Sequence, residues 1–326
     1  AFGESMSIFE LNKGERTYIF PAFKFQEKEH ARSMLENGNV HLSNISVFRD
    51  SSRFSGQILD EKEGIVTLHN SIAPSVCDFY EQHNQNAYPE TVEIAVSDAF
   101  VFCCTKYFLS DSLTWAISEG KQSCVLITDV TEYIRRISSY YESDLDWVGA
   151  QECQYIGRNF FATSATPYDP TTFFIQENMN AAFVKPEEYA AQRELRLIWK
   201  PKNSFQPQEF LNNDIETQDL LIPVLFHDFD SSYRSSGKQR VGARIISKSG
   251  IGNAEYNIAI PNEVFTPVIH TSNNVQMLGF LATSSHLSGG NFKGGQVGIL
   301  MSELGPIVCN VYLKDIEYVE IFTENA

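Results

Sequence analysis

From about Lys200 to the C-terminus the chain almost lacks helical periodicity. The runs VGARIIS, YNIAI, TPVIH, QVGILM, PIVCNVYL and EYVEIF follow at short intervals, separated by glycine clusters such as SKSGIGN and LSGGNFKGGQVG. Short runs rich in β-branched residues between glycine-rich breaks read as strands. A strand exposes unpaired N–H and C=O groups along both edges, so a chain with this many must build extended sheets. That excludes a helical bundle and defines a β-rich C-terminal region, 201–326.

The first 200 residues mix the two periods. RTYIFPAFKF reads as one opening strand. In QEKEHARSMLENG, Ala31, Met34 and Leu35 fall at helical spacing, and Asn37-Gly38 supplies a left-handed stop. VHLSNISVFRD alternates as a strand that runs into a loop, and FVFCCT, SCVLITDV, QECQYIG and ELRLIW add further strands. SDSLTWAISEG reads as a helix capped by Ser110 or Asp111, and DVTEYIRRISSYY as a helix with Ile134 and Ile137 on one face. EQHNQNAYPE reads as a polar surface excursion. The fold class is therefore α+β, with a division expected near residue 200.

Hydrophobic residues make up 43% of the 326 positions and aromatics 13%, which excludes disordered, collagen-like and coiled-coil classes. The 25 basic residues face 41 acidic ones, a net charge of −16. That balance argues against tracking a phosphate backbone or binding an anionic membrane, so any phosphate site must be a local basic exception. Cys77, Cys103, Cys104, Cys124, Cys153 and Cys309 include no C-x-x-C pair, and several lie in apolar runs as buried thiols do. A reducing, cytoplasmic setting is expected, with no metal. No apolar run approaches the ~20 residues of a membrane span.

Phosphate-loop, zinc-helix, nucleophile-elbow and dinucleotide-binding patterns are all missing. The seven histidines show no ligand spacing. What stands out is Gln192-Arg193-Glu194-Leu195-Arg196. As a strand, it would place Gln192, Glu194 and Arg196 on one face and turn Leu195 and Leu197 into the core. The plain alternative is a solvated edge carrying an exposed charge pair.

The Q-x-E spacing is similar to the signature of ADP-ribosyltransferases. TYIFPAF, VHLSNISVFRD, DEKEG, FCCTKYFLSDSLTWAI, GKQSCVLITDV and AAFVKPEEYAAQRELRLIW, in that order, resemble a family of bacterial ADP-ribosyltransferase-like toxin and phage-defence proteins over roughly residues 16–200. The resemblance implies split antiparallel sheets in an NAD-binding domain spanning 1–200, with NAD as substrate in the cleft between them. It assigns Glu194 to the ribose 2′-hydroxyl and Gln192 to orienting the acceptor. Thr105 would brace the glutamate, Arg49 would meet the pyrophosphate, and Tyr107 and Trp115 would stack on nicotinamide. Arg49 has a plainer role to weigh, a salt bridge with Asp50 or Asp60. The implied acceptor is a protein, with a nucleic acid or small molecule as alternatives and with room for an antitoxin or immunity partner. A NAD glycohydrolase or a non-catalytic binding module on the same fold are the competing readings.

Overall fold

The computed structural model describes residues 9–13, 16–52, 60–70, 91–96, 99–106, 115–116, 119–162, 181–202, 208–226, 239–248, 254–259, 266–272, 275–281, 299–302 and 304–325. They form a mixed α+β, strand-rich architecture with few helices and several sheets. Two α-helices are described. Lys28–Asn37 ends as its sequence requires: Gly38 has φ 69°, and its N–H returns to the Met34 carbonyl. An alanine Cβ there would sit 2.0 Å from the Ile215 carbonyl oxygen, so both the backbone angle and the close approach demand glycine. Val130–Tyr140 begins at Asp129, whose carboxylate accepts from the Glu132 N–H at 2.9 Å, and it buries Tyr133, Ile134 and Ile137.

The sheet that positions the site has five antiparallel strands, in the order Phe210–Asp214, Asn39–Asn44, Phe100–Cys104, Leu195–Pro201 and Leu145–Glu152. Alternation divides its faces. Leu42, Phe102, Cys104, Leu195, Leu197 and Trp199 join Tyr133, Ile134 and Ile137 in the main core. Val101 and Ile198, on the other face, pack with Ile45, Ala99, Ala182 and Phe183.

The opening segment is two strands rather than one. Arg16–Ile19 and Ala22–Gln26 flank Pro21, which has no N–H to give a ladder, and the two pieces enter different sheets. Ala22–Gln26 is the edge of a six-stranded sheet that continues through Ser123–Ile127, Leu221–Phe226, Ile316–Asn325, Gln239–Ser247 and Ala254–Ala259. Arg16–Ile19 lies in another, with Glu10–Lys13, Thr266–Ser272, Val275–Leu281, Gly305–Tyr312 and Ile299–Ser302. Both sheets, and the Phe210–Asp214 to Asn39–Asn44 pairing, carry hydrogen bonds across residue 200. VHLSNISVFRD forms the strand Asn39–Asn44 and then the 3-10 turn Ile45–Arg49, started by the Asn44 side chain accepting from Ser46 N–H. QECQYIG divides between Leu145–Glu152 and Gln154–Tyr155. The six strands expected after residue 200 have counterparts here. The surface excursion near 81–90, the cap at Ser110 or Asp111 and most of the two glycine clusters fall outside the described residues. Among the described residues no helix is long and apolar enough to cross a membrane.

Candidate active site

Asn39–Asn44 and Phe100–Cys104 are paired only through Ser43–Val101 and Asn44–Phe100. Beyond that end the two strands diverge, and a cavity of about 440 Å³ opens there, lined by residues of both and by Phe23 to Glu27. Lys24 reaches into the gap. Its ammonium donates to the Cys103 carbonyl at 2.7 Å and lies 4.5 Å from the Phe102 ring centre, so a lysine satisfies a strand-edge acceptor. Phe23 and Thr105 exchange backbone hydrogen bonds at 2.6 and 2.8 Å, tying the edge of the six-stranded sheet to the end of Phe100–Cys104.

Four charges meet in the buried part of the cavity. Arg196 donates from Nε to Glu194 Oε1 at 2.5 Å, from Nη1 to Glu63 Oε1 at 2.8 Å, and to the Ala182 carbonyl. Lys185 Nζ donates to Glu194 Oε2 at 2.8 Å and to Gln192 Oε1 at 2.5 Å, and it lies 3.8 Å from Glu63 Oε2. Two carboxylates balance two cations, and all four side chains are less than a tenth exposed. Mutual pairing makes that burial tolerable. Burial by itself would raise the Glu194 pKa, but Arg196 and Lys185 more than offset it and hold the carboxyl well below its ordinary range. For Lys185, burial opposes the charge while Glu194 and Glu63 restore it, with a net rise. Glu194 is thus a fixed anion that accepts hydrogen bonds and stabilises positive charge.

The backbone holds this geometry from several sides. Gln192 does not lie on a strand. It closes the 3-10 turn Glu187–Gln192, and Arg193 takes a left-handed φ of 46° before Leu195–Pro201 begins. That turn, rather than strand alternation, brings Gln192 to Lys185 beside Glu194. The Glu194 N–H donates to the Tyr155 hydroxyl oxygen at 2.6 Å, and its carbonyl accepts from Cys153 N–H at 2.8 Å. Glu194 and Arg196 do share a face, with Leu195 and Leu197 fully buried on the other. Their burial, 7% and 2% exposed, replaces the solvated-edge alternative with an internal network.

The other expected residues separate. Thr105 lines the cavity and is 2% exposed, and Trp115 lines it too. Tyr107 lies outside the described residues. Arg49 is not among the residues lining the cavity. Its Nε donates to the Glu63 carbonyl at 2.6 Å and its Nη2 to the Val96 carbonyl at 2.8 Å, so it braces the turn that carries Glu63. Asp60, one of the partners considered for Arg49, instead takes both terminal nitrogens of Arg158. Burial would raise the Asp60 pKa, and the bonded guanidinium more than offsets it.

Lys185 and Glu63 are the site residues that sequence reasoning passed over. DEKEG and AAFVKPEE were in view, but a charged residue in a turn is ordinarily solvated. Only long-range pairing distinguishes these two. Comparison with protein-family models, curated proteins and solved structures finds no match for the chain.

Proposed function

We propose that the chain is an NAD-cleaving enzyme of the ADP-ribosyltransferase type, with Glu194 as its catalytic carboxylate. The observation that carries this reading is a glutamate ion-paired with two cations, buried in a cavity large enough for a small-molecule ligand and fixed beside Gln192 by a shared lysine. The divergence of Asn39–Asn44 from Phe100–Cys104 supports a split-sheet fold of the same kind.

The reaction breaks the bond between the ribose C1′ and the nicotinamide nitrogen. The bonding electron pair leaves with nicotinamide, and positive charge develops on the ribosyl ring as in glycoside cleavage. An ionised carboxylate that accepts from the 2′-hydroxyl fixes the sugar and stabilises that charge. A carboxylate has about four acceptor positions, so the bonds from Arg196, Lys185 and the Cys103 thiol leave about one for a hydroxyl. An acceptor nucleophile oriented by Gln192 then forms the bond to C1′ and releases its proton to bulk water. When water is the nucleophile, the products are those of a NAD glycohydrolase. A protein acceptor and a toxin or defence role belong to the same proposal.

A second reading has a specific observation behind it. Arg196 and Lys185 neutralise Glu194, which weakens its pull on a developing cation and suits a binding module. Incubation with NAD, with nicotinamide release followed in the presence and absence of cell lysate, separates the readings. Release that is lost in Glu194→Gln, together with label in lysate proteins, supports the transferase. Release without label supports the glycohydrolase. Calorimetric NAD binding without release supports the binding module, and the lack of both binding and release overturns the proposal.

A further inference from the structure

Away from the buried quartet, the more open part of the same cavity gathers two lysines and two histidines. Lys24 comes from Ala22–Gln26, His30 from the helix Lys28–Asn37, His41 from Asn39–Asn44, and Lys121 from the turn before Ser123–Ile127. They are close enough to act on one another. Partial enclosure, then Lys24 and His30, press the His41 pKa down to about 4. Lys121 is lowered by burial and by Lys24, against the pull of Glu27 and Glu119. A Glu27 carboxylate oxygen lies 3.8 Å from the Lys121 ammonium, on a side chain that is 54% exposed.

Lysine normally extends its ammonium toward water. Lys24 is instead drawn inward onto the Cys103 carbonyl, which takes one of its three donors. The His30 and His41 rings stack at 6.1 Å with 9° between their planes, and Phe210 packs on His41 at 5.1 Å. Two ammonium groups in a half-enclosed space raise the free energy of the empty protein, and an anion placed between them, with imidazole N–H groups as further donors, lowers it. In a chain of net charge −16 this grouping is a local exception.

We infer that the open part of the cavity is an anion subsite for a phosphate or diphosphate group, with Lys24, Lys121, His30 and His41 as its donors. The inference rests on the cavity used by the functional reading but not on any bond being cleaved, so the two fail separately. The subsite holds the phosphate portion of a ligand whose remaining portion reaches toward Glu194. Ammonium and imidazole donors surrounding an acceptor oxygen make charge-assisted hydrogen bonds, which weaken as salt competes.

The test titrates the full chain by calorimetry with inorganic pyrophosphate, ADP and adenosine, at low and at physiological salt. Pyrophosphate and ADP are expected to bind, more weakly as salt rises, and adenosine to bind at least tenfold more weakly than ADP. Lys121→Gln and His30→Asn alter partly exposed side chains and should each weaken pyrophosphate roughly tenfold, the order of one lost charge-assisted bond. A circular-dichroism melt at the wild-type temperature establishes that each variant is folded. Equal affinity for ADP and adenosine would overturn the inference, as would absent pyrophosphate binding or folded variants that bind it like wild type. Nicotinamide release without pyrophosphate binding would refute the subsite alone. Pyrophosphate binding without NAD cleavage would refute only the enzymatic reading.

Discussion

Replacing Arg196 with methionine removes one cation from a buried set of four charges and leaves Glu63 and Glu194 with Lys185 alone. Arg196 makes three hydrogen bonds, to Glu194, Glu63 and the Ala182 carbonyl, and is 2% exposed. Each charge-assisted bond contributes roughly 1.5–3 kcal/mol, part of which is offset because the guanidinium no longer has to leave water. Stranding a buried charge by deleting its partner typically costs about 3–5 kcal/mol, and that is the loss expected for Arg196→Met. Against a typical folding stability of about 5–15 kcal/mol, such a loss moves a urea midpoint far outside error. Adding Glu63→Gln restores the charge balance, since Glu194 and Lys185 remain as a pair. The double variant should recover at least ~1 kcal/mol relative to the sum of the two single losses. The sign with pH is equally definite. Glu194 is held below its ordinary value of 4.5 in the folded protein. Its contribution is therefore present above that pH and fades as pH falls further. Much of that depression comes from Arg196, so the gap between wild type and Arg196→Met should narrow as pH drops below about 4.5. Urea titrations of the four proteins, at neutral pH and near pH 4, provide the measurement. A loss under about 1 kcal/mol for Arg196→Met, or strict additivity with Glu63→Gln, would show that the four charges do not act as a unit.

The clamp between Asp60 and Arg158 holds the other end of the turn that carries Glu63, and both side chains are largely buried. Asp60→Asn should cost about 2–4 kcal/mol at neutral pH, read from the urea midpoint, and lower any NAD-dependent activity by displacing Glu63. His41 faces Lys24, His30, Phe210 and Asn212. Its pKa is lower folded than unfolded, so the unfolded chain binds the extra proton first and stability falls as pH drops from about 6.5 toward 4. His41→Asn should flatten that part of a stability-against-pH curve. Gly38→Ala must adopt a left-handed angle and push a methyl group into the Ile215 carbonyl, so a loss of at least ~2 kcal/mol in thermal or urea unfolding is expected. Burial raises the Cys104 and Cys153 thiols to about 12. Both should react with a disulfide reagent at neutral pH only after denaturant is added, as followed by mass spectrometry.

Local physics made much of the chain readable as a sequence. The helix Lys28–Asn37 and its stop at Gly38, the helix that starts after Asp129, six of the strands after residue 200 and the inward turn of Leu195 and Leu197 all depend on neighbours a few positions away. Periodicity and terminal chemistry record such relations directly. Gln192 and Glu194 stood out for the same reason, as adjacent polar groups beside an apolar strand. The surroundings of that pair were decided by contacts distant in the chain. Glu63 meets Arg196 133 positions away, and Lys24 reaches the Cys103 carbonyl 79 positions away. Pro21 sends two halves of one apparent strand into separate sheets. Asn39–Asn44 leaves Phe100–Cys104 after two paired residues and so creates the cavity. A charged residue reads the same in sequence whether it points into water or into another charge. The sequence by itself marked many of the strands, both described helices and the residues polar enough for chemistry. The tertiary structure decided that four of those charges are buried together and that Arg49 braces a turn. Burial and pairing are properties of distance in space, and a linear pattern does not encode them.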